Sequence, residues 1–444
     1  MAPLGKLGFG ANHMTLRRGA CLLLGFALLG GCNLSLPLQG RAPQEVSHRT
    51  SSFEPSSEAP QSEILSALIQ RRSVIAEDSA LGDVARVALA SGARPSEAKL
   101  RTAKLRAEAE NKNWLPTIGP VVSLTSLGDV LASLVVDQVL FDHGRKKAER
   151  EFAWADVEVA AVTLSQDMND RVFTALSLYV TALRGQEKAQ VGDGAMRQMR
   201  AFNRIVAGRV TGGVSNLGDL RMVEDKTQSI LSMRDTAKDE ATAALAELEA
   251  MTGTRFDGKP VTALAGLPDE RGAPLEVLKA DAEAKRSVAQ ATIQRASLLP
   301  GLNASGTVSN SGSSATLEAS GETGIGLGTG GKLKAIEASK ETARRQVAEA
   351  REDAARKQSR LEQRIASQQR QQAEAQRLAQ QGQETYRLFQ AQFRAGQRSV
   401  LEVVNVYEQS VRRALEGVDA KYDVILAQLE LARDMGLLAD GDAI

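Results

Sequence analysis

The apolar positions of this chain change period twice, and each change introduces the same succession of elements. A helical segment beginning near Pro95 closes at Trp114-Leu115-Pro116, and a similar one beginning near Pro274 closes at Leu298-Leu299-Pro300. After each Leu-Pro signal comes a stretch of about two strand lengths. The first runs from Ile118 to Phe141 and is broken by the turn-like Gly128-Asp129; the second runs from Leu302 to Leu327 with its turn near Ser311-Gly312. In the second, Leu317, Ala319, Gly321, Thr323, Ile325 and Leu327 alternate with Glu318, Ser320, Glu322 and glycines. Period two with one apolar and one polar face predicts a strand between two different environments.

Each hairpin leads into a long helical pattern. Asp142-His143-Gly144-Arg145 opens a segment reaching about Ala207, with Ala148, Phe152, Ala155, Val159 and Val162, then Phe173, Leu176, Val180 and Leu183, spaced alternately four and three. That spacing predicts a narrow coiled-coil seam, interrupted by Gln166 and Asn169, while Gly185, Gly192 and Gly194 weaken the case for an unbroken helix. Gly330-Gly331-Lys332 opens the second, which contains no proline up to Gly396 and repeats the spacing in Ala343, Val347, Ala350 and Ala354. At ~1.5 Å per residue each helix would be on the order of 95 Å long.

Both long segments end in a polar break, after which the chain returns. Aligning Gly213 with Gly396 pairs Asp219 with Glu402, Val223 with Val406, Ala244 with Ala427, Leu248 with Leu431 and Gly253 with Gly436 without a gap. A constant offset of this kind points to duplication. The expected organisation is a first repeat over 63–265 (hairpin about 118–141), a second over 266–438 (hairpin about 302–328), and a tail over 439–444. Two hairpins supply four strands, too few to close a membrane sheet, and an open edge in lipid leaves backbone N–H and C=O groups unsatisfied. Several protomers must then share one barrel: two would give about eight strands and three about twelve.

The N-terminus sets the compartment. Arg17 and Arg18 precede an apolar run, Cys21 to Leu29, that ends in Leu29-Gly30-Gly31-Cys32, which is signal-peptide layout over residues 1–31. Counting from Met14 gives a signal of ordinary length, so the true start is expected there. Cys32 resembles the lipidated first residue of a bacterial lipoprotein, and the Ser-, Pro- and Gln-rich residues 32–62 read as a flexible tether. No stretch reaches eighteen consecutive apolar residues, so a membrane would have to be crossed by strands.

Composition removes other classes. Net charge +1 singles out no polyanionic partner, so no nucleic acid is expected. With Cys21 in the signal and Cys32 acylated, neither a disulfide framework nor a thiolate metal site is available. His13, His48 and His143 stand far apart, so no catalytic or metal-ligand spacing is present, no cofactor is expected, and the chain reads as a non-enzyme. Aromatics at 4% with abundant Ala, Glu, Gln and Arg favour long helices.

The run Gln138-Val139-Leu140-Phe141-Asp142-His143-Gly144-Arg145, the Leu-Pro signals before the hairpins, and Phe393-Arg394-Ala395-Gly396-Gln397-Arg398-Ser399-Val400-Leu401-Glu402-Val403 resemble the TolC-like outer-membrane efflux and secretion proteins over about residues 80–438. The resemblance implies a mainly α fold with a small β part: long coiled-coil hairpins forming an α-barrel, and two β-hairpins per chain in a trimeric twelve-stranded transmembrane β-barrel. It implies a homotrimer in the outer membrane with a large periplasmic part, working with a periplasmic adaptor protein and an inner-membrane ABC or proton-driven transporter. The breaks at Gly208 to Asn216 and Ala395 to Ser399 would form the adaptor-docking tip, with Gly208, Gly213, Val214, Ala395, Gly396 and Gln397 as its residues. An aspartate ring found in some members, four to five helical turns before the second break, has no counterpart: Leu378 and Gln381 stand there, and Glu374 and Glu384 are the nearest acids.

Three functions compete. Gln392 to Arg398 followed by Leu401-Glu402-Val403 looks more like members serving type I protein secretion; small-molecule efflux shares every part; a coiled-coil periplasmic lipoprotein without a pore leaves the hairpins unexplained. Labelled palmitate is expected to enter the protein at Cys32. A Cys32→Ser variant that still takes up label and matures normally would remove the lipoprotein reading.

Overall fold

The computed structural model describes residues 62–92, 94–124, 130–258, 272–309, 312–320 and 326–444. The signal, Cys32 and nearly all of the tether lie outside the described residues, as do the Gly128-Asp129 turn and Ser311. The chain runs α1 (Glu63–Ile69), α2 (Ala80–Ala90), α3 (Pro95–Glu110), β1 (Thr117–Leu124), β2 (Val130–Phe141), α4 (Arg145–Thr211), α5 (Leu217–Thr252), α6 (Leu275–Ser297), β3 (Gly301–Ser309), β4 (Gly312–Ser320), α7 (Thr329–Arg394) and α8 (Val400–Asp434), with a last 3-10 turn at Gly441–Ala443. Hairpin, long helix, break and return helix thus occur twice. Gly213, Gly253, Gly396 and Gly436, which the alignment pairs two by two, all have positive φ, at 73°, 69°, 74° and 68°.

The strands form one antiparallel sheet in the order β1-β2-β3-β4, so the two hairpins join through β2 and β3. Expected strand character extends to Leu327, but β4 ends at Ser320 and residues 321–325 lie outside the described residues. Leu327 sits in the turn before α7. There the Thr329 hydroxyl accepts from Gly326 N at 3.0 Å, a local bond that favours a helix start over a ladder.

The two long helices differ in a way the periodicity does not predict. On α7, Ala343, Val347, Ala354 and Leu361 are buried, within an arc of about 40° at ~100° per residue. That is the expected narrow seam. On α4 the buried side chains run from Ala153 through Val157, Val172 and Leu176 to Ala155, an arc of about 200°. The narrow seam expected for α4 is therefore corrected to a broad buried face. The reason is tertiary: α5, α6 and α8 pack along α4, and the short helices α2 and α3 cover the side a lone hairpin would leave wet.

Asn169, read as an interruption, is 1% exposed and works as an anchor. Its Nδ2 donates to Ser165 O at 2.8 Å and its Oδ1 accepts from Leu438 N at 2.8 Å. Residues 439–444, expected as a tail, are docked beside α1 through Gly441 N to Arg71 O at 3.1 Å and Ser73 N to Asp440 Oδ1 at 2.9 Å. The buried Arg71 guanidinium donates to Met435 O and, at 2.6 Å, to Ala273 O, joining both ends of the helical region. Burial among carbonyls rather than carboxylates lowers its pKa to about 10.

The α4 glycines do not break the helix. A Cβ at Gly185 would lie 2.6 Å from Ala237 O, so this residue lets α5 approach the α4 backbone closely, whereas a Cβ at Gly194 would meet only Arg197 Nη2 at 3.8 Å. Gly185→Ala should lower stability by ~1–3 kcal/mol through overpacking. Gly194→Ala should raise it by up to ~1 kcal/mol through helix propensity. Denaturant unfolding of the two variants checks this, and equal midpoints would refute the close-approach reading.

Candidate functional site

The strand register divides the sheet into two chemically different faces. Cross-strand rows Ile118–Val136–Gly306–Ala315, Pro120–Leu134–Val308–Ser313 and Gln138–Ala304–Leu317 lie on one side. Rows Thr117–Asp137–Ser305–Thr316, Gly119–Val135–Thr307–Ser314 and Val139–Asn303–Glu318 lie on the other. The first face is largely apolar with small residues interspersed, Gln138 and Ser313 excepted, and Ile118, Leu134, Val308 and Leu317 on it are solvent-exposed in the single chain. The second carries hydroxyls, an amide and two carboxylates, and the Ser305 hydroxyl donates to Asp137 Oδ1.

A bulge refines this division. The β2–β3 register shifts between Val139 and Phe141, so that Val139 faces Asn303 while Phe141 faces Leu302. Simple alternation would put Phe141 on the polar side with Val139; the extra residue turns its ring to the apolar side, beside Leu302 and Ala319. Phe141 also stacks edge-on against His143 at 4.7 Å, and the His143 ring hydrogen-bonds Pro300 O at 3.1 Å, tying the base of one hairpin to the other.

At the opposite ends of α4 and α7 the chain reverses twice with one geometry. Val214 N donates to Arg209 O at 2.8 Å and Gln397 N to Gln392 O at 2.9 Å, the six-residue closure that goes with a left-handed glycine, here Gly213 and Gly396. Each return helix then opens with a capping box, Asn216 with Asp219 and Ser399 with Glu402. A Cβ at Gly213 or Gly396 would touch nothing within 4 Å, so both turns present open backbone. Val214 is 74% and Leu217 65% exposed, which makes the first turn apolar, while Gln397 and Arg398 make the second polar.

The first break begins later than the sequence suggests. Gly208 is not in the break; α4 continues to Thr211, and Gly208 O accepts from Gly212 N at 3.0 Å inside the last turn. With no proline before Gly213, the helix keeps its backbone bonds until a left-handed residue ends it. The structure brings Gly213 with Val214, and Ala395 with Gly396 and Gln397, into two matching turns.

Just inside the turns lies an aromatic group that the periodicity does not single out. Phe202 and Tyr407 rings are 5.8 Å apart and Tyr386 and Tyr407 4.6 Å, while Arg209 covers Phe393 at 5.2 Å and Arg398 covers Phe389 at 4.6 Å. Burial pushes the Tyr407 hydroxyl up to about 12. Lys226 pairs with Glu408 alongside, so the first helical hairpin is bound to the second at this end. The available signal is scarcity, since two of the four tyrosines of the chain meet here. Further from the second turn, Glu374 is paired with Arg377 on its own helix.

Among the described residues no group of His, Cys, Asp and Glu has the arrangement of a metal site, and no helix is long and apolar enough to cross a membrane. No protein-family model matches the sequence, and no curated protein matches it either. Solved structures do match. The outer membrane protein VceC from Vibrio cholerae superposes with TM-score 0.69 at 14% identity, over 80% of this chain and 96% of that one. The Campylobacter jejuni CmeC outer membrane channel gives 0.67 at 11%, over 84% and 90%. The open state of the Neisseria gonorrhoeae MtrE outer membrane channel gives 0.64 at 15%, over 82% and 90%. With its two β-hairpins in one sheet and its long helical hairpins, the chain has the fold of the TolC-like outer-membrane channels.

Proposed function

We propose that the chain is the outer-membrane channel of a tripartite export system, a lipid-anchored homotrimer that receives substrate from a periplasmic adaptor and an inner-membrane transporter. The two-faced sheet with unpaired outer edges carries this reading. Its apolar face suits lipid, its polar face suits water, and β1 and β4 each keep one edge without a partner among the described residues. Three copies of four strands would make a closed twelve-stranded barrel, in which β4 of one protomer pairs with β1 of the next. Trp114 and Phe141, both exposed at the helical end of the sheet, fit an aromatic girdle at the membrane boundary.

The repeats over 63–265 and 266–438 each supply one hairpin and one helical arm. At 67 residues α4 is ~100 Å long, so the turns at Gly213 and Gly396 lie far from the sheet, where an adaptor would meet them. Cys32 would hold the tether in the same membrane. Type I protein secretion is favoured by the segment Gln392 to Arg398 with Leu401-Glu402-Val403; small-molecule efflux is the alternative, decided by whether an ABC exporter or a proton-driven pump partners the channel.

Two experiments test the proposal. In detergent the mass should be that of a trimer, and planar bilayers should show ionic conductance; a stable, non-conducting monomer would instead favour a coiled-coil lipoprotein without a pore. At the tip, Gly396→Asn tolerates the left-handed backbone without bulk and should keep export. Gly396→Trp should abolish export with trimer yield and membrane location unchanged, and Arg356→Trp, at an exposed mid-helix site, should have little effect. If Gly396→Trp exports normally, or fails only because no trimer forms, the docking role is lost and the glycine is a turn residue alone.

A further inference from the structure

Below the sheet, α4, α6 and α7 of one protomer form a cavity of about 840 Å³, within the ~300–1,000 Å³ typical of small-molecule sites. Part of its wall is apolar: the half-buried indole of Trp154 lines it with Ala155, Val288, Ala289 and Val347. Five cations and three carboxylates supply the charged part of the lining, and the carboxylates are all taken. Glu151 pairs with Lys147 at 3.8 Å, Glu158 with Lys285 at 3.0 Å and Asp281 with Arg351 at 3.3 Å. The remaining cations, Arg150 and Arg344, have no carboxylate partner among the described residues, and Arg150 donates instead to the neutral Asn113 Oδ1 at 2.8 Å. Two guanidiniums thus stand without counter-charge beside an apolar wall.

We infer that this cavity binds an amphipathic organic anion of the fatty-acid class, with its carboxylate held by Arg150 and Arg344 and its chain laid against Trp154. A guanidinium presents a planar fork that matches the two oxygens of a carboxylate. An inorganic anion would leave the apolar wall wet, and an uncharged hydrocarbon would shield the guanidiniums from water without neutralising them. A ligand with both a charged head and an apolar body satisfies the whole lining. The inference goes beyond the channel function, because a site built within one protomer requires neither barrel closure nor conduction.

The test reads Trp154 directly. The chain has two tryptophans, Trp114 and Trp154, so a Trp114→Phe background leaves one indole. Trp154 stands roughly 13 Å along α4 from its start at Arg145, which keeps it away from bromine dissolved in a bilayer at the sheet. The full-length Trp114→Phe protein in nanodiscs of a zwitterionic lipid at neutral pH is titrated with ω-bromoundecanoate, and quenching of the indole fluorescence is followed. Quenching should saturate, and the alcohol of the same chain should need on the order of tenfold more ligand, because it lacks the charge-assisted bonds. Arg150→Gln with Arg344→Gln should weaken the acid by a similar factor and leave the alcohol unchanged. Ala284→Phe, which fills the cavity and keeps both guanidiniums, should remove saturable quenching by either. Quenching that never saturates, equal binding of acid and alcohol, or an acid affinity untouched by the arginine pair would overturn the inference and show adventitious partitioning only. None of these outcomes bears on conductance, so this inference and the channel reading fail separately.

Discussion

Backbone hydrogen bonding at the edges of a four-stranded sheet is the constraint on which the architecture turns. The inner pairs β1–β2, β2–β3 and β3–β4 satisfy one another within the chain, but among the described residues the outer sides of β1 and β4 have no partner strand. In water such edges invite aggregation; in lipid they are untenable. The register adds a second demand, because one side of the same sheet is apolar and exposed while the other carries Asp137, Asn303, Ser305 and Glu318. A closed barrel shared between copies meets both demands at once.

The helical part answers a different requirement, the support of that sheet at one end and of two turns at the other. The work is divided unequally. α4 is buried over a broad face by α2, α3, α5, α6 and α8, whereas α7 shares only a thin seam. α4 is thereby held as a fixed column, with the C-terminal segment latched on through Asn169 and Arg71. At the far end the hairpins share an apolar cluster in which Met199, Phe202 and Val206 of α4 and Val223 of α5 pack with Val400, Val403 and Val404 of α8, beside the Lys226–Glu408 pair and the rings of Tyr386 and Tyr407.

What the sequence determined by itself is the local geometry that depends on a few neighbouring residues. The hairpins, the alternation around Leu317 and Glu318, the two polar breaks with their return helices and the paired glycines at 213 and 396 were legible because strand faces and left-handed turns are decided by residues one to six positions apart. The rest required tertiary structure. The side taken by Phe141 depends on a bulge set by the pairing partner, the role of Gly185 on where α5 passes, and the breadth of the α4 face on helices far away in sequence. Gly208 stayed helical because nothing nearby competes with its backbone bonds, and residues 439–444 docked because the backbone of Arg71 and Ser73 offers partners that no periodicity reveals. A period reports which side of an element is apolar. Only packing decides what covers that side, and only register decides which charges share a wall.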